Sequence, residues 1–576
     1  MPLSITQIKN SPASSGLVAE AGTKSRLRLA ETILARFKNL WGLAFVLIIS
    51  AVIISVLPLR TAFEFGGDEG FEVIKAFMCS KGYKLYSEIW NDQPPVSTVL
   101  LTAAFKAWGP TILTARLVAA AFGLLLIGTF HGLVRSRSGN WAAIIATFLL
   151  VAAPGVLLLS VSVMLEVPAF ATALLSALLL LQWGKHKTWV WLAASGAVMA
   201  FALQSKLTAA LALPALGLEL LLLCGLGWPS RDAKKVGRDT PCGPLSAPSQ
   251  LGAHGVARPT KGLISCVIPW LVGLVATFTL IGMTWGKGQF ASSWKSHTTS
   301  QDVPGMDRPE DHTFEWKLLS SHVECVIAAA ACIIIAARQK HLREISFPLT
   351  LLATVSVVHA IHRPWWNYYY LHFAIPIAWL AGWTLSKLID YIFASLPLSS
   401  GERGRMRSSI KVKHKPKPRR PDSSFSTLPS LLKSLVLCAV LALPLAKSEH
   451  RLESAIKELR SRPRTADNPI VKKLKEDADR DPAALVYSES PIYPFHAGLA
   501  VIPKLAVIMP KRFWSGQVST PEIIETCKLQ KPDFLNIPLS CLDPQWEIHL
   551  KNYCVLLTSD QKSLLYKLSR SAADEE

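Results

Sequence analysis

The sequence predicts a polytopic α-helical membrane protein with a long first outer loop carrying interfacial helices and a small α/β domain after its last crossing. Half of the 576 residues are apolar and only 18% are charged, below the roughly one quarter usual in soluble domains. Apolar runs of about 18 to 23 residues recur along the chain, each long enough to cross roughly 30 Å of hydrocarbon. Lys and Arg, which give the chain a net charge of +21, concentrate in the tail and in alternate loops between those runs. That pattern reads as a positive-inside topology and not as a nucleic-acid surface.

Taken in order, a mostly polar N-terminal tail (1–39) precedes the first apolar run, so a retained first helix is expected in place of a cleaved signal. Crossings are expected near 40–59, 112–133, 141–160, 165–183, 189–204, 207–226, 262–284, 318–337, 345–361, 367–388 and 428–446, about eleven in all. Basic residues before the first helix, Arg135 and Arg137, Lys185 and Lys187, the run from Arg231 to Lys261, Arg338 to Arg343 and the run from Arg403 to Arg420 then all fall on the cytoplasmic side. This divides the chain into a cytoplasmic tail, a membrane domain (40–390), a basic cytoplasmic linker (391–427), the last helix (428–446) and an extracytoplasmic domain (447–576). Within the membrane domain, 60–111 is the first outer loop, the Pro-rich 227–261 segment a cytoplasmic insertion and 285–317 a second outer loop. "PPVSTVLLTAAFKAWGP" is short for a crossing and carries Lys106; counting it as one would put every later basic loop outside. It is therefore expected to lie on the outer surface as an interfacial helix. After the last crossing, short β-rich runs such as "LVYSESPIYPF" and "YCVLLTS" alternate with a helical one, which predicts the α/β domain. Ten cysteines without CxxC pairing signal neither zinc nor a disulfide framework; the trio Cys527, Cys541 and Cys554 allows one bridge at most.

Four groups of residues on the outer side are candidates for a site. Asp68 and Glu69 stand at the start of an amphipathic segment, where helix capping is the plain alternative. Glu166, beside Pro168 in an otherwise apolar run, is costly there unless it faces a cavity or a partner. Lys206 lies between two apolar runs, where it could also be a boundary anchor. "VVHAIHRPWWNYYYLHFAIP" gathers His359, His362, Arg363, Trp366, Tyr369 and His372; an interfacial aromatic belt explains the rings but not the cations among them, which suit a phosphate and a sugar ring.

The stretch "GGDEGFEVIKAFMCSKGYKLYSEIWNDQPPVSTVLLTAAFKAWGPTILTARL" resembles the first outer loop of the C-type (GT-C) membrane glycosyltransferases, the group of the dolichyl-phosphate-mannose protein mannosyltransferases and the bacterial aminoarabinose transferases. The corresponding features are Asp68 and Glu69, Gly82 with Tyr86 (spaced Gly-x-x-x-Tyr where the family has Gly-x-x-Tyr), Pro94 and Pro95, Trp108 and Gly109, and Ala115 to Leu117. The likeness continues through "MLEVPAF" and "FALQSKLTAALALPAL", and covers about residues 40 to 225. Where many members carry Asp before the helix-four proline, this chain has Glu166.

The resemblance implies transfer of a sugar from a polyprenyl-phosphate monosaccharide to an acceptor hydroxyl outside the cytoplasm, with inversion. Asp68 would be the base, Glu69 an orienting group and Glu166 a holder of acceptor or sugar; Lys206, Arg363, His362, Tyr86, Trp366 and Tyr369 would bind donor phosphate and sugar. The expected partners are the donor lipid, an envelope lipid, glycan or protein acceptor and membrane lipids. The expected place is a bacterial inner (plasma) membrane with the N-terminus cytoplasmic. The resemblance fixes no cofactor and leaves a divalent metal open, since some relatives use one while no ligand spacing here compels it. A secondary transporter and a non-catalytic envelope-assembly protein are the alternatives, and the absence of an internal repeat counts against the former.

Overall fold

A computed structural model describes residues 41–224, 259–299, 301–303, 306–395 and 430–569. The expectations for the N-terminal tail, most of the Pro-rich insertion and the basic linker lie outside these residues.

Helices occupy each of the eleven apolar runs, and further helices lie in the loops between them. They are α1 (Trp41–Ser55), α2 (Glu69–Ser80), α3 (Val96–Trp108), α4 (Ile112–Ser138), α5 (Asn140–Val151), α6 (Val156–Val161), α7 (Glu166–His186), α8 (Trp189–Ser205), α9 (Leu213–Leu223), α10 (Pro259–Trp285), α11 (Gln289–Thr298), α12 (Trp316–Ser320), α13 (Val323–Gln339), α14 (Leu342–Ile361), α15 (Tyr370–Ser395) and α16 (Ser430–Arg460). Among the described residues, four helices are long and apolar enough to cross a membrane unaided, and a fifth results if the bent pair ending at Gln339 counts as one span. The run expected as one crossing at 141–160 is broken between α5 and α6. "APG" at Ala153 to Gly155 breaks it: proline disfavours a helix through the residue before it, and Gly155 takes φ +74°, a conformation glycine adopts without a Cβ clash. The last helix also runs past 446 to Arg460.

The bundle packs through small residues. Gly196 on α8 and Gly273 on α10 each sit against the other helix's backbone, with no room for a Cβ, the close approach that small residues permit between membrane helices. A core of Leu, Ala, Phe and Trp joins α4, α5, α7, α13 and α15.

One end of the bundle collects the 60–111 loop, the 285–317 segment and the C-terminal α/β unit. The Phe63 amide donates to the Pro463 carbonyl at 2.7 Å, the Trp90 indole donates to Gln517 at 2.8 Å, and Ser292 and Ser293 donate to the carbonyls of Asn91 and Asp92 at 2.7 Å each. The C-terminal unit holds α17 (Pro469–Ala478), β1 (Leu485–Ser488), α18 (Ile492–Ala497), β2 (Ala500–Val501), α19 (Pro510–Trp514), α20 (Thr520–Gln530), β3 (Phe534–Pro538), α21 (Pro544–Tyr553), β4 (Cys554–Ser559) and β5 (Ser563–Leu568). Its five strands run in the order β2-β1-β3-β5-β4, with β1 parallel to β2 and β3 and the β4–β5 hairpin antiparallel. Apolar residues of α17, α18 and the sheet pack against α2 and α3 in one shared core. The C-terminal unit is therefore part of the wall around the first loop. Cys527, Cys541 and Cys554 are unbridged.

The opposite end carries Arg137 paired with Glu219 and Glu344 bound to His341 and to the Trp383 indole.

Candidate active site

At the crowded end, the starts of α2 and α7 meet the loop after α8 and the start of α19. They enclose a cleft lined by Asp68, Glu72, Gln93, Glu166, Lys206, Trp366, Tyr368 and Lys511. Three features of the chain hold these groups there. Ser162 to Leu165 leave the helix just before Glu166, so this acid opens α7 with its carboxylate buried. Lys206 sits in extended backbone between α8 and the 3-10 turn of Leu207–Ala212, which swings its ammonium out of the helix axis. Asp68 begins α2, and its side chain makes no capping bond, leaving the carboxylate to the cleft.

Glu166 and Lys206 form a buried ion pair in which one carboxylate oxygen takes the ammonium and the other, Oε2, has no hydrogen-bond partner. The Lys206 Nζ also lies 4.8 Å from the Tyr368 ring centre and 5.5 Å from that of Tyr369, a cation against two aromatic faces. Burial pushes the Asp68 carboxyl above its usual range; Lys206 pulls against this, Glu166 reinforces it, and Lys511 and Asp92 act as weaker opposites.

Asp92 anchors the far wall. Its carboxylate takes the Gln93 amide at 2.8 Å, with the Lys511 ammonium at 3.6 Å and His297 at 3.9 Å. Burial opposes its charge, but Lys511, His297 and Lys75 together hold it below the ordinary carboxylate range. Lys511 is the largest of these opposing charges, and burial and Lys511 in turn bring the His297 imidazole down to about 4.

Beside the cleft opens a groove of about 920 Å³ whose lining includes Leu207, Leu211, Phe290, Trp294, Val358 and Tyr369. Gln93, Lys206 and Lys511 line both cavities. Two lysines thus stand where an apolar channel meets an acidic pocket.

The sequence-predicted residues divide. Asp68, Glu166, Lys206 and Trp366 line the cleft, and Tyr369 and His362 the groove. Glu69 turns away: it is fully buried and grips Arg116 through both oxygens, at 2.9 and 2.7 Å, while also accepting the Phe65 amide at 2.8 Å. The remaining Arg116 donors reach the carbonyls of Leu59 and Ala62, so this pair ties the first loop to α4. Tyr86 is also a loop brace, donating its hydroxyl to the Gln93 carbonyl at 2.7 Å. The exposed Arg363 curls back to the carbonyls of His359 and His362 and lines neither cavity. Burial, Lys511 and Arg363 lower the His362 imidazole, which makes it a neutral partner and not a cation.

Sequence reasoning missed Lys511 and Gln93, and it met Tyr368, Asp92 and Glu72 only as members of the aromatic cluster and of the acidic loop, without giving them separate roles. Asp92 and Glu72 carried a visible signal, as acids in the same unusual loop; Lys511, in "MPKRFW", carried none. Among the described residues one trio of metal-ligand types converges, His322, Glu324 and Cys325. It lies outside the cleft, and Arg451 and Lys447 already face Glu324 there, two cations where a metal's charge would sit. In the cleft, one oxygen of Glu166 already takes the Lys206 ammonium.

The family model for dolichyl-phosphate-mannose-protein mannosyltransferase matches residues 92–232, a stretch that includes Asp92, Glu166 and Lys206. No curated protein matches the chain in sequence. In fold the chain is similar to ArnT from Cupriavidus metallidurans in the apo state, with a TM-score of 0.57 at 16% identity over 92% of this chain and 99% of that one. The crystal structure of the same ArnT bound to undecaprenyl phosphate gives 0.54 at 15% identity with the same coverage.

Proposed function

We propose that this chain, which has the C-type membrane glycosyltransferase fold of the mannosyltransferase and aminoarabinose transferase group, transfers a sugar from a polyprenyl-phosphate monosaccharide to an acceptor hydroxyl with inversion. The observation that carries this reading is the sharing of Lys206 and Lys511 between an apolar groove and an acidic cleft. A lipid-linked donor has that same order of chemistry: an apolar chain, a phosphate and a sugar. The prenyl chain fits the groove, the phosphate meets the two ammonium groups, and the sugar extends into the cleft. The ArnT structure with undecaprenyl phosphate supports a lipid carrier of this class.

The acceptor hydroxyl is a weak nucleophile, so Asp68 takes its proton as the oxygen attacks the anomeric carbon. The bond from that carbon to the phosphate oxygen breaks with its electron pair on the phosphate, and Lys206 and Lys511 meet the charge that develops. Attack from the face opposite the phosphate inverts the anomeric centre. Glu166 keeps Lys206 charged and aimed, and its free oxygen is placed to accept a hydroxyl of the acceptor or the sugar. The basic loops support a cytoplasmic far end, and with it a cleft and C-terminal unit on the extracytoplasmic side; a bacterial inner membrane is the proposed setting.

The test is turnover of radiolabelled polyprenyl-phosphate sugars by purified protein, wild type against Asp68→Asn. Loss of a base is expected to cost about a hundred- to ten-thousand-fold, with the thermal unfolding profile kept. Equal turnover in both would remove Asp68 as the base. Solute movement in vesicles without donor consumption would overturn glycosyl transfer altogether.

A further inference from the structure

The cleft holds a third carboxylate with no part in the steps above. Glu72 lies one helical turn after Asp68 on α2, lines the same cleft and is 4% exposed. Its Oε1 accepts from Lys75 Nζ at 2.8 Å. Lys75, only 1% exposed, also donates to Asn91 Oδ1 at 2.9 Å, and the buried Asn91 amide donates to the Gln93 carbonyl at 2.7 Å. A chain of buried polar groups therefore fixes Glu72 from behind and ties it to the opposite wall. Its other oxygen, Oε2, has no hydrogen-bond partner. Burial pushes the Glu72 carboxyl up and Lys75 draws it back.

A buried acceptor left unpaired is destabilising, and buried polar groups without partners are rare enough to need a reason. A bound hydroxyl supplies one. If phosphate binds at Lys206 and Lys511, where cleft and groove meet, a sugar esterified to it reaches the wall that Asp68 and Glu72 share. We propose that Glu72 Oε2 accepts a hydrogen bond from one ring hydroxyl of the transferred sugar and so selects which sugars the cleft takes, with Lys75 and Asn91 as positioning residues. The proposal rests on the glycosyl-transfer reading. A site built to pair a hydroxyl discriminates strongly against an analogue lacking it, because the site's own polar group is then left unpaired.

The experiment uses the full chain, wild type and Glu72→Ala, with synthetic decaprenyl-phosphate hexoses and pentoses to find the sugar turned over. The mono-deoxy analogues of that sugar follow, and the readout is kcat/KM for donor consumption. With the parent donor, Glu72→Ala is expected to lose at least about tenfold. One mono-deoxy donor should be equally poor for the wild type yet suffer no further loss in Glu72→Ala, the non-additivity that marks a direct contact. A merely structural role lowers turnover of every analogue by one common factor, and that result overturns the proposal. So does parent-donor turnover as fast in Glu72→Ala as in the wild type. If the alanine variant does not fold, Glu72→Gln enters the same cycle, with the same two outcomes deciding. A folded wild type that consumes no lipid-linked sugar sinks the glycosyl-transfer reading itself, and this inference with it.

Discussion

Two buried carboxylate–cation pairs stand at the same end of the bundle and differ in what they leave over. In Glu69–Arg116 both carboxylate oxygens hold the guanidinium, the other donors of Arg116 hold backbone carbonyls, and its guanidinium lies 4.1 Å from the Phe65 ring centre. Neither residue has any side-chain exposure. In Glu166–Lys206 one oxygen is orphaned, and the ammonium borders two cavities. A closed pair holds the chain in shape; an open pair has capacity left for something that is not protein. Consecutive acids in the sequence, Asp68 and Glu69, fall on opposite sides of this distinction.

Breaking the closed pair should produce the largest effect. Arg116→Met leaves a buried, uncompensated Glu69 together with two unmet carbonyls, and loss of one partner from a buried pair typically costs about 3–5 kcal/mol. The expected outcome is a large fall in thermal unfolding temperature in detergent, or no folded protein at all. Glu69→Gln should be milder, and the protein that does fold should keep its turnover per molecule. Turnover in Glu69→Gln falling as far as in Asp68→Asn, at unchanged stability, would place Glu69 in the chemistry.

The open pair predicts the reverse signature. Glu166→Gln removes the charge that holds Lys206 in place, and loss of one preorganised electrostatic contact at a reacting centre costs on the order of a hundredfold in rate. Donor turnover measures it, with unfolding followed in parallel; stability should drop less than in Arg116→Met. A variant as unstable as Arg116→Met would make the two pairs alike and erase the comparison.

The same distinction explains how much of the site the sequence revealed. Ionisable residues in apolar surroundings are costly, so Glu166 and Lys206 were conspicuous, and each lines the cleft. The apolar runs likewise gave the helices, since length and hydropathy are local. What the sequence did not reveal depends on partners far along the chain. Whether Glu69 is free or locked depends on Arg116, 47 positions away, and nothing local to the Ala-Arg-Leu triplet that contains it signals that pairing. Lys511 belongs to a separate α/β unit, and only the packing of that unit on the first loop brings it to Asp92. The broken helix at Ala152 to Gly155 was legible from Pro154 and Gly155, but an apolar run on both sides concealed it.

Arg363 sharpens the comparison from the other direction. As an exposed cation among aromatic rings it resembled a phosphate ligand, yet its donors turn to the carbonyls of its own loop and it borders neither cavity, which makes it a closed group without a carboxylate. Surface substitutions away from a site usually move free energies by no more than about 0.5 kcal/mol, about twofold in rate. Arg363→Ala is accordingly expected to leave kcat/KM for donor turnover within about twofold of wild type. A much larger loss, confined to KM, would mean that Arg363 swings into the groove when phosphate arrives, and that a cation bonded only to backbone carbonyls counts as open. Closure would then be a matter of bond strength: a carboxylate locks a guanidinium by charge as well as by hydrogen bonds, whereas neutral carbonyls can yield it to an anion.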